Sequence, residues 1–315
     1  MTQLFSKLAK HSILIATYNQ ENLITDCLES VLVQKDYIYE IIINDDCSTD
    51  NTWDIVKKYA SLYPKLIKIH RSEANIGVFN SLNWLMKQAS GDIINIVAGD
   101  DLLPENILKT YTEFIFYNKL NCNDKFIIYT DAVAFDKQGN TKLYRNERVT
   151  VEAPLDLILK CELYFWETGL SYGLIKSAPL YNSNIGYQAD WLYHVERALC
   201  CGSHYYIPIV GYKYRVGVGV TAHSKLTELY KSRYRVLKRI KTLNLNAASE
   251  KSILFLNTID AMLKYFFNPN LKTYTNFLFK RIKLGRVVET NELHNWKIYI
   301  PLGIKDIIKK VLLKA

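Results

Sequence analysis

No window of this 315-residue chain reaches the roughly 18 to 20 unbroken apolar residues of a membrane span. A bilayer-crossing helix is therefore not expected. The first nineteen residues hold two lysines and a short apolar run, but Thr17-Tyr18-Asn19-Gln20 follows where a small-residue cleavage site would stand. No signal peptide is expected. The six cysteines are scattered, with only Cys200 and Cys201 adjacent. That excludes a zinc-type pair of pairs and a disulfide framework, and it suits buried thiols in a reducing compartment. There is no low-complexity linker and no internal repeat.

What is present is a large apolar fraction, 49%, ample for a packed core, and a formal charge of +9. The charge is unevenly placed. Residues 1–224 carry 21 Lys/Arg against 25 Asp/Glu, and residues 225–315 carry 19 against 6. An acidic body with a basic tail predicts a polyanionic partner for the tail, either an anionic membrane or a nucleic acid.

The first 136 residues alternate strand and helix. Strands are predicted at Ser12–Ala16, Glu40–Asn44, Leu66–His70, the run ending at Val97, and Phe126–Thr130. Helical spacing recurs over Asn22–Val33, after Thr49 or Asp50, over Gly77–Ala89, and from Pro104 to about Tyr117. Such alternation implies a mostly parallel sheet with helices on both faces. Right-handed crossovers then bring Asn19, Asp45, Asp46, Asp100 and Asp101 to one edge, where open α/β sheets bind ligands. Later segments predict a hairpin through Gln138-Gly139-Asn140, an aromatic stretch (Tyr164, Phe165, Trp166, Tyr172), a helix over Ala189–Cys201, and strand-like runs Tyr205–Ile209 and Tyr212–Val216.

The strand Ile93–Val97 stops on Gly99-Asp100-Asp101. Adjacent carboxylates at a buried strand end repel each other and desolvate badly, and Mg²⁺ carrying a diphosphate is their natural partner. A solvated polar turn is the alternative reading of the same two acids.

In order, Ala16-Thr17-Tyr18-Asn19, Asp45-Asp46-Cys47-Ser48-Thr49-Asp50-Asn51-Thr52, Asn75-Ile76-Gly77 and Gly99-Asp100-Asp101 resemble the motifs of the family 2 glycosyltransferases. The resemblance covers about residues 10 to 220. It implies the A-type glycosyltransferase fold (GT-A), a Rossmann-like, mostly parallel sheet flanked by helices. It also implies a nucleotide-sugar donor, with UDP favoured by the Asp45-Asp46 match. On this basis residues 1–224 form the catalytic domain, with a nucleotide half over about 10–136 and an acceptor half over about 137–224. Residues 225–315 form a basic helical extension.

The resemblance puts Thr17, Tyr18 and Asn19 at the base and ribose, and makes either Asp45 or Asp46 the acceptor of the uracil imide N–H. Asp50 is read as a helix cap. Asn75 and Gly77 form the turn under the nucleotide, with Gly77 a backbone requirement. Asn80 and Asn83, one helical turn apart, face either the site or solvent. Of Asp100 and Asp101, one coordinates Mg²⁺ or Mn²⁺ and the other touches the ribose. The commonest family form has a further acid where Ala98 stands.

In Gln188-Ala189-Asp190-Trp191 the second acid of a family pair matches Asp190, which becomes the general base, while Ala189 replaces the first. A helix N-cap is the plain reading of Asp190. Trp191 is expected as an acceptor platform. Arg215, in the family's Tyr-Arg pair, and His223, in the loop Gly217–Ser224, are candidates for the diphosphate.

The Gln-x-x-Arg-Trp motif of processive synthases is absent, so single-sugar transfer to a glycan or lipid-linked acceptor is expected, with inversion at the anomeric carbon. Residues 302–314 alternate apolar residues and lysines at helical spacing, which reads as an interfacial helix on anionic lipid or a docked terminal helix. The implied setting is bacterial surface-glycan synthesis in the cytoplasm, peripheral on the inner membrane, with a second copy docking on the aromatic-rich tail as a further partner. Two other readings compete. A sugar nucleotidylyltransferase needs a Gly-rich loop after the first strand, and Thr17–Asn22 has no glycine. A nucleic-acid binder using the tail lacks any reader motif, and no nucleic acid is expected.

Overall fold

The structure, a computed structural model, describes residues 9–151, 153–160, 163, 169–218 and 226–268, with 270, 272, 273, 275–277 and 280 beyond them. Two compact units divide the chain, Met1–Ser232 and Arg233–Ala315. The aromatic residues 164–166, His223 and the 302–314 segment singled out above lie outside the described residues.

The first unit opens β1 (His11–Thr17), α1 (Ile24–Leu32), β2 (Ile38–Asp45), α2 (Thr52–Leu62), β3 (Ile67–Arg71), α3 (Val78–Gln88), β4 (Ile93–Ala98), α4 (Ile107–Tyr117) and β5 (Phe126–Phe135). It continues with β6 (Thr141–Tyr144), α5 (Pro154–Leu159), β7 (Gly169–Ser171), α6 (Tyr172–Ser177), α7 (Ala189–Cys200) and β8 (Ser203–Arg215). Helix α8 (Leu226–Ile240) crosses into the second unit, which holds α9 (Glu250–Phe267).

The sheet order is β3-β2-β1-β4-β7-β5-β6, with β8 paired to β5. Strands β3, β2, β1 and β4 run parallel, β7 is antiparallel to β4 and β5, and β8 returns parallel to β5. Ile13, Leu14 and Ile15 of β1 are wholly enclosed, because helices cover both faces of a parallel sheet and leave no polar side to the strand. On one face α1 (Leu28, Val31) and α4 (Leu108, Tyr111) pack on Ile13, Ile15, Ile41 and Ile43. Each such burial contributes about 1.5–3 kcal/mol.

Two details differ from the sequence expectation. Helix α4 begins at Ile107, not Pro104, because Asn106 takes a left-handed φ of 62° just before it. Buried Gln34 serves its first turn instead: its Oε1 accepts from the Leu108 N–H at 3.1 Å and its Nε2 donates to the Pro104 carbonyl at 2.9 Å. The runs Tyr205–Ile209 and Tyr212–Val216 belong to one strand. Its register jumps from Thr130↔Ile207 to Asp131↔Val210, and the bulge houses exposed Pro208, which has no N–H for a ladder. Gly211 then lies against Thr130, where an added Cβ would stand 2.1 Å from the hydroxyl oxygen.

At the end of the sheet away from the motif loops, buried Glu40 collects four donors. Its Oε1 accepts from Ser12 Oγ (2.7 Å), Ser90 N (2.8 Å) and Ser90 Oγ (2.9 Å), and its Oε2 from Lys68 Nζ (2.7 Å). Burial pushes the pKa up, but these bonds outweigh it and hold the carboxyl's pKa below its ordinary value. A depressed pKa stabilises the fold above the usual carboxylate range, and that stabilisation is lost as pH falls through the folded value. Glu40→Gln is therefore expected to cost about 2 kcal/mol in urea unfolding at pH 7. The deficit should shrink in acid; an equal deficit at pH 7 and in acid would contradict the linkage.

Candidate active site

Register builds the site. Thr17 pairs with Asp45, Asp45 with Arg71, and Ala16 with Ala98, so β1, β2, β3 and β4 end level with one another. The loops leaving these ends carry most of the motif residues.

The loop after β2 divides the work of its two acids. Asp46 is buried, and both its oxygens are taken: Oδ1 accepts from the Ile76 N–H at 2.9 Å and Oδ2 from the Gly77 N–H at 2.8 Å. Gly77 is the N-cap of α3 and Ile76 precedes it, so Asp46 fastens the entry to that helix. Asn75 Oδ1 shares the Gly77 N–H at 3.1 Å, and Gly77 has φ +84° with open space where a Cβ would be. Glycine is needed there for its conformation. Asp45 is fully buried; its Oδ2 accepts from the Ser48 N–H at 3.0 Å and lies 3.3 Å from Arg71 Nε, while its Oδ1 has no hydrogen-bond partner. Of the pair, Asp45 retains an unused acceptor. Arg71 also donates to the Ser48 carbonyl at 2.6 Å and stands 5.7 Å from the Trp53 ring.

Asn19, with φ 50°, links the loops after β1 and β2: its N–H donates to Ser48 Oγ and its Oδ1 accepts from the Thr49 N–H. Thr17 is buried and its hydroxyl donates to Gln20 Oε1 at 2.7 Å, whereas Tyr18 is 40% exposed. Asp50 accepts from the Thr52 N–H at 2.9 Å and, across the loops, from the Glu21 N–H at 3.1 Å. Asn80 donates to the Ile76 carbonyl just before its own helix, and Asn83 bonds the backbone of Tyr181.

The acid pair after β4 is also asymmetric. Asp101 is 3% exposed; its Oδ2 accepts from the Tyr212 hydroxyl at 2.9 Å and its Oδ1 from the Arg215 N–H at 2.7 Å. A bridge between Leu102 and Lys213 pins this turn to β8. Asp100 is half-buried and hydrogen-bonded by the Gln20 side chain. Gly99 admits the packing, since a Cβ there would lie 2.9 Å from Thr17 Cβ. Burial raises the pKa of Asp100, and burial followed by the neighbouring Asp100 charge raises the pKa of Asp101 to about 8. Arg215 supplies little direct relief: its Nε donates to the Asp100 carbonyl at 2.9 Å and its Nη2 pairs with exposed Asp26 at 3.0 Å. Two enclosed carboxyls that resist ionising together are a donor set suited to a divalent cation. Among the described residues no group of three or more His, Cys, Asp or Glu could hold a metal, so further ligands would come from substrate and water.

Asp190 lies in the first turn of α7, one residue past its start, and accepts from the Trp191 N–H at 2.8 Å. Gln188 occupies the N-cap position, so the plain N-cap reading of Asp190 does not hold. Trp191 is a correction. It is 3% exposed and its Nε1 donates to the Ile158 carbonyl at 2.9 Å, which makes it a core anchor with no open face for a sugar. Sequence reading missed Gln20, Arg71 and Tyr212. Arg71 had a signal, a basic residue closing the third strand; Gln20 and Tyr212 had none.

Residues 12–158 match the family described as Glycosyl transferase family 2. Over that stretch the chain is similar to family 2 glycosyltransferase domains. EpsE of Bacillus subtilis (strain 168) is 39% identical over 130 residues, which cover 41% of this chain and 45% of EpsE. The poly(ribitol-phosphate) beta-N-acetylglucosaminyltransferase TarS of Staphylococcus aureus (strain Mu50 / ATCC 700699) is 38% identical over 111 residues, 34% of this chain and 19% of TarS. The chain thus spans less than half the length of these relatives. Residues 1–349 of S. aureus TarS in complex with UDP-GlcNAc superpose with a TM-score of 0.58 at 20% identity, covering 86% of this chain and 79% of that one. The mannosyltransferase PcManGT of Pyrobaculum calidifontis, with GDP-Man and Mn²⁺, gives a TM-score of 0.52 at 14% identity, over 94% and 81%. These likenesses show the fold, the A-type glycosyltransferase sheet. No helix among the described residues is long and apolar enough to cross a membrane.

The raised pKa of Asp101 has a thermodynamic sign. A folded value above the ordinary 3.8 favours the fold in acid, and that contribution is lost as pH rises through about 8. An amide at position 101 can still take the Arg215 N–H on its oxygen and donate to Tyr212. Asp101→Asn is expected to raise the Tm of the metal-free protein by at least about 2 °C at pH 9 while changing it less at pH 6. Equal Tm values at pH 9 would contradict the burial argument.

Proposed function

We propose that the domain transfers a single sugar from a UDP-sugar to a glycan or lipid-linked acceptor in bacterial surface-glycan synthesis, with inversion. The observation that carries this reading is the pairing, at one sheet edge, of the enclosed acids Asp100 and Asp101 with a buried Asp45 that keeps an unused acceptor oxygen. That oxygen suits an imide N–H, and the exposed Tyr18 ring suits stacking against a base. The acceptor class is suggested by TarS, whose name describes a poly(ribitol-phosphate) acceptor and a beta product. A beta product from an alpha-linked donor is inversion.

The chemistry is a direct displacement. The acceptor hydroxyl attacks the anomeric carbon, its proton passes to the Asp190 carboxylate, and the bond from that carbon to the diphosphate oxygen breaks with its electrons leaving on the nucleoside diphosphate. No enzymic nucleophile is required, which agrees with one candidate base. Asp100, the more open of the acid pair, would hold Mg²⁺ or Mn²⁺ with Asp101 behind it, and the ion would supply charge neutralisation for the diphosphate. Gln20, bonded to Thr17 and Asp100, keeps the two loops in register.

Calorimetry with UDP, GDP and dTDP, each with and without Mn²⁺, tests the reading. UDP is expected to bind best and only with metal, and Asp100→Ala to weaken it by about tenfold or more. Asp190→Asn should leave UDP binding unchanged while lowering turnover by about 10² or more. No nucleotide binding by the folded wild-type chain would overturn the proposal.

A further inference from the structure

Three contacts fasten the turn that leads into Asp190. Asn83, on α3, bonds the Tyr181 backbone both ways: Nδ2 donates to the carbonyl at 2.8 Å and Oδ1 accepts from the N–H at 2.8 Å. One side chain thereby does what a ladder strand would do. The Tyr181 ring lies flat on Tyr193, with centroids 3.6 Å and planes 8° apart, and the Arg197 guanidinium stands 3.8 Å from the Tyr193 ring. Arg197 is fully buried and its Nε and Nη1 have no hydrogen-bond partner, so the ring face is its main electrostatic support. At the far end of the turn, buried Ser232 on α8 accepts from the Gln188 N–H at 2.8 Å. Gln188 is the N-cap of α7, where a helix leaves its amides without internal partners.

The same α3 that presents Asn83 is tied at its start to Asp46 through Ile76 and Gly77. One short helix therefore runs from the loop proposed for the nucleotide to the clamp on the base-bearing turn.

We infer that Asn83 and Ser232 are positioning residues that fix where Asp190 stands, acting through the 181–190 turn and not on the substrate. The inference rests on the Asp190 reading above. Displacing a base by about 1 Å costs on the order of 10²-fold in rate, so loosening either clamp should be seen in turnover before it is seen in donor binding.

The test compares wild type with Asn83→Ala, Asn83→Asp, Ser232→Ala, Ser232→Thr and Asp190→Asn. The probes are UDP-glucose and UDP-N-acetylglucosamine with Mn²⁺, read as UDP released, UDP affinity by calorimetry, and hydrogen exchange over residues 178–190. Asn83→Ala and Ser232→Ala are expected to lower kcat by about tenfold or more, with UDP affinity within about twofold of wild type. Ser232→Thr keeps the hydroxyl and should restore most of the rate. Asn83→Asp keeps the acceptor for the Tyr181 N–H, falls between wild type and alanine, and covers a failure of the alanine variant to fold.

Exchange should quicken over 178–190 and not over 41–48. Turnover within about twofold of wild type in both alanine variants, or a loss matched by an equal loss of UDP affinity, overturns the inference. Full turnover in Asp190→Asn overturns the base reading instead. If wild type releases no UDP from either probe, the transferase reading fails with these donors, and unchanged exchange over 178–190 in Asn83→Ala then sinks the clamp on its own.

Discussion

The parallel register of β1 against β2 and β4 is the constraint on which the site depends. Because Thr17 pairs with Asp45 and Ala16 with Ala98, three chain reversals occur at one level, and residues 28 to 82 positions apart in sequence become neighbours. A slip of one residue would turn every side chain of a strand to the other face and bury the wrong set. The apolar runs Ile13–Ile15, Ile41–Ile43 and Ile93–Ile94, enclosed on both faces, make such a slip costly. Asp46 adds a polar lock, since its own N–H donates to the Thr17 carbonyl while its carboxylate holds the start of α3.

Each acidic pair at this edge is asymmetric in what its carboxylates bind. Asp46 and Asp101 have both oxygens committed to protein donors, while Asp45 keeps an unused acceptor and Asp100 is the more open of its pair. The committed member of each pair orders the loop that carries the other. The arrangement has a cost. Asp101 resists ionisation because it is buried beside Asp100, so the edge is less stable at alkaline pH than neutral side chains would make it. Glu40, at the other end of the sheet, shows the opposite case: an equally enclosed carboxylate with four donors favours the ionised form and the fold together.

Much of this was legible in the sequence. Uninterrupted β-branched runs announced buried parallel strands, and acids directly after them announced the edge. Helix periodicity located α1, α3 and α7 to within two residues. What the sequence did not disclose were choices made by tertiary contacts. Pro104 looked like a helix start, yet distant Gln34 caps α4 at Leu108. Trp191 looked like a sugar platform, yet the Ile158 carbonyl draws it into the core. In one dimension Asn83 faces either the site or solvent and Ser232 carries no signal; only their contacts with the 181–190 turn reveal their partners.

The central claim is that the level ends of β1, β2 and β4 form the nucleotide-sugar site. The most direct measurement is anomalous diffraction at the manganese edge from crystals grown with UDP and Mn²⁺. The account predicts a single strong peak against the Asp100 carboxylate, with the uracil beside Asp45 and Tyr18. Manganese or UDP seated elsewhere, with the Asp100 carboxylate clear of both, would contradict it.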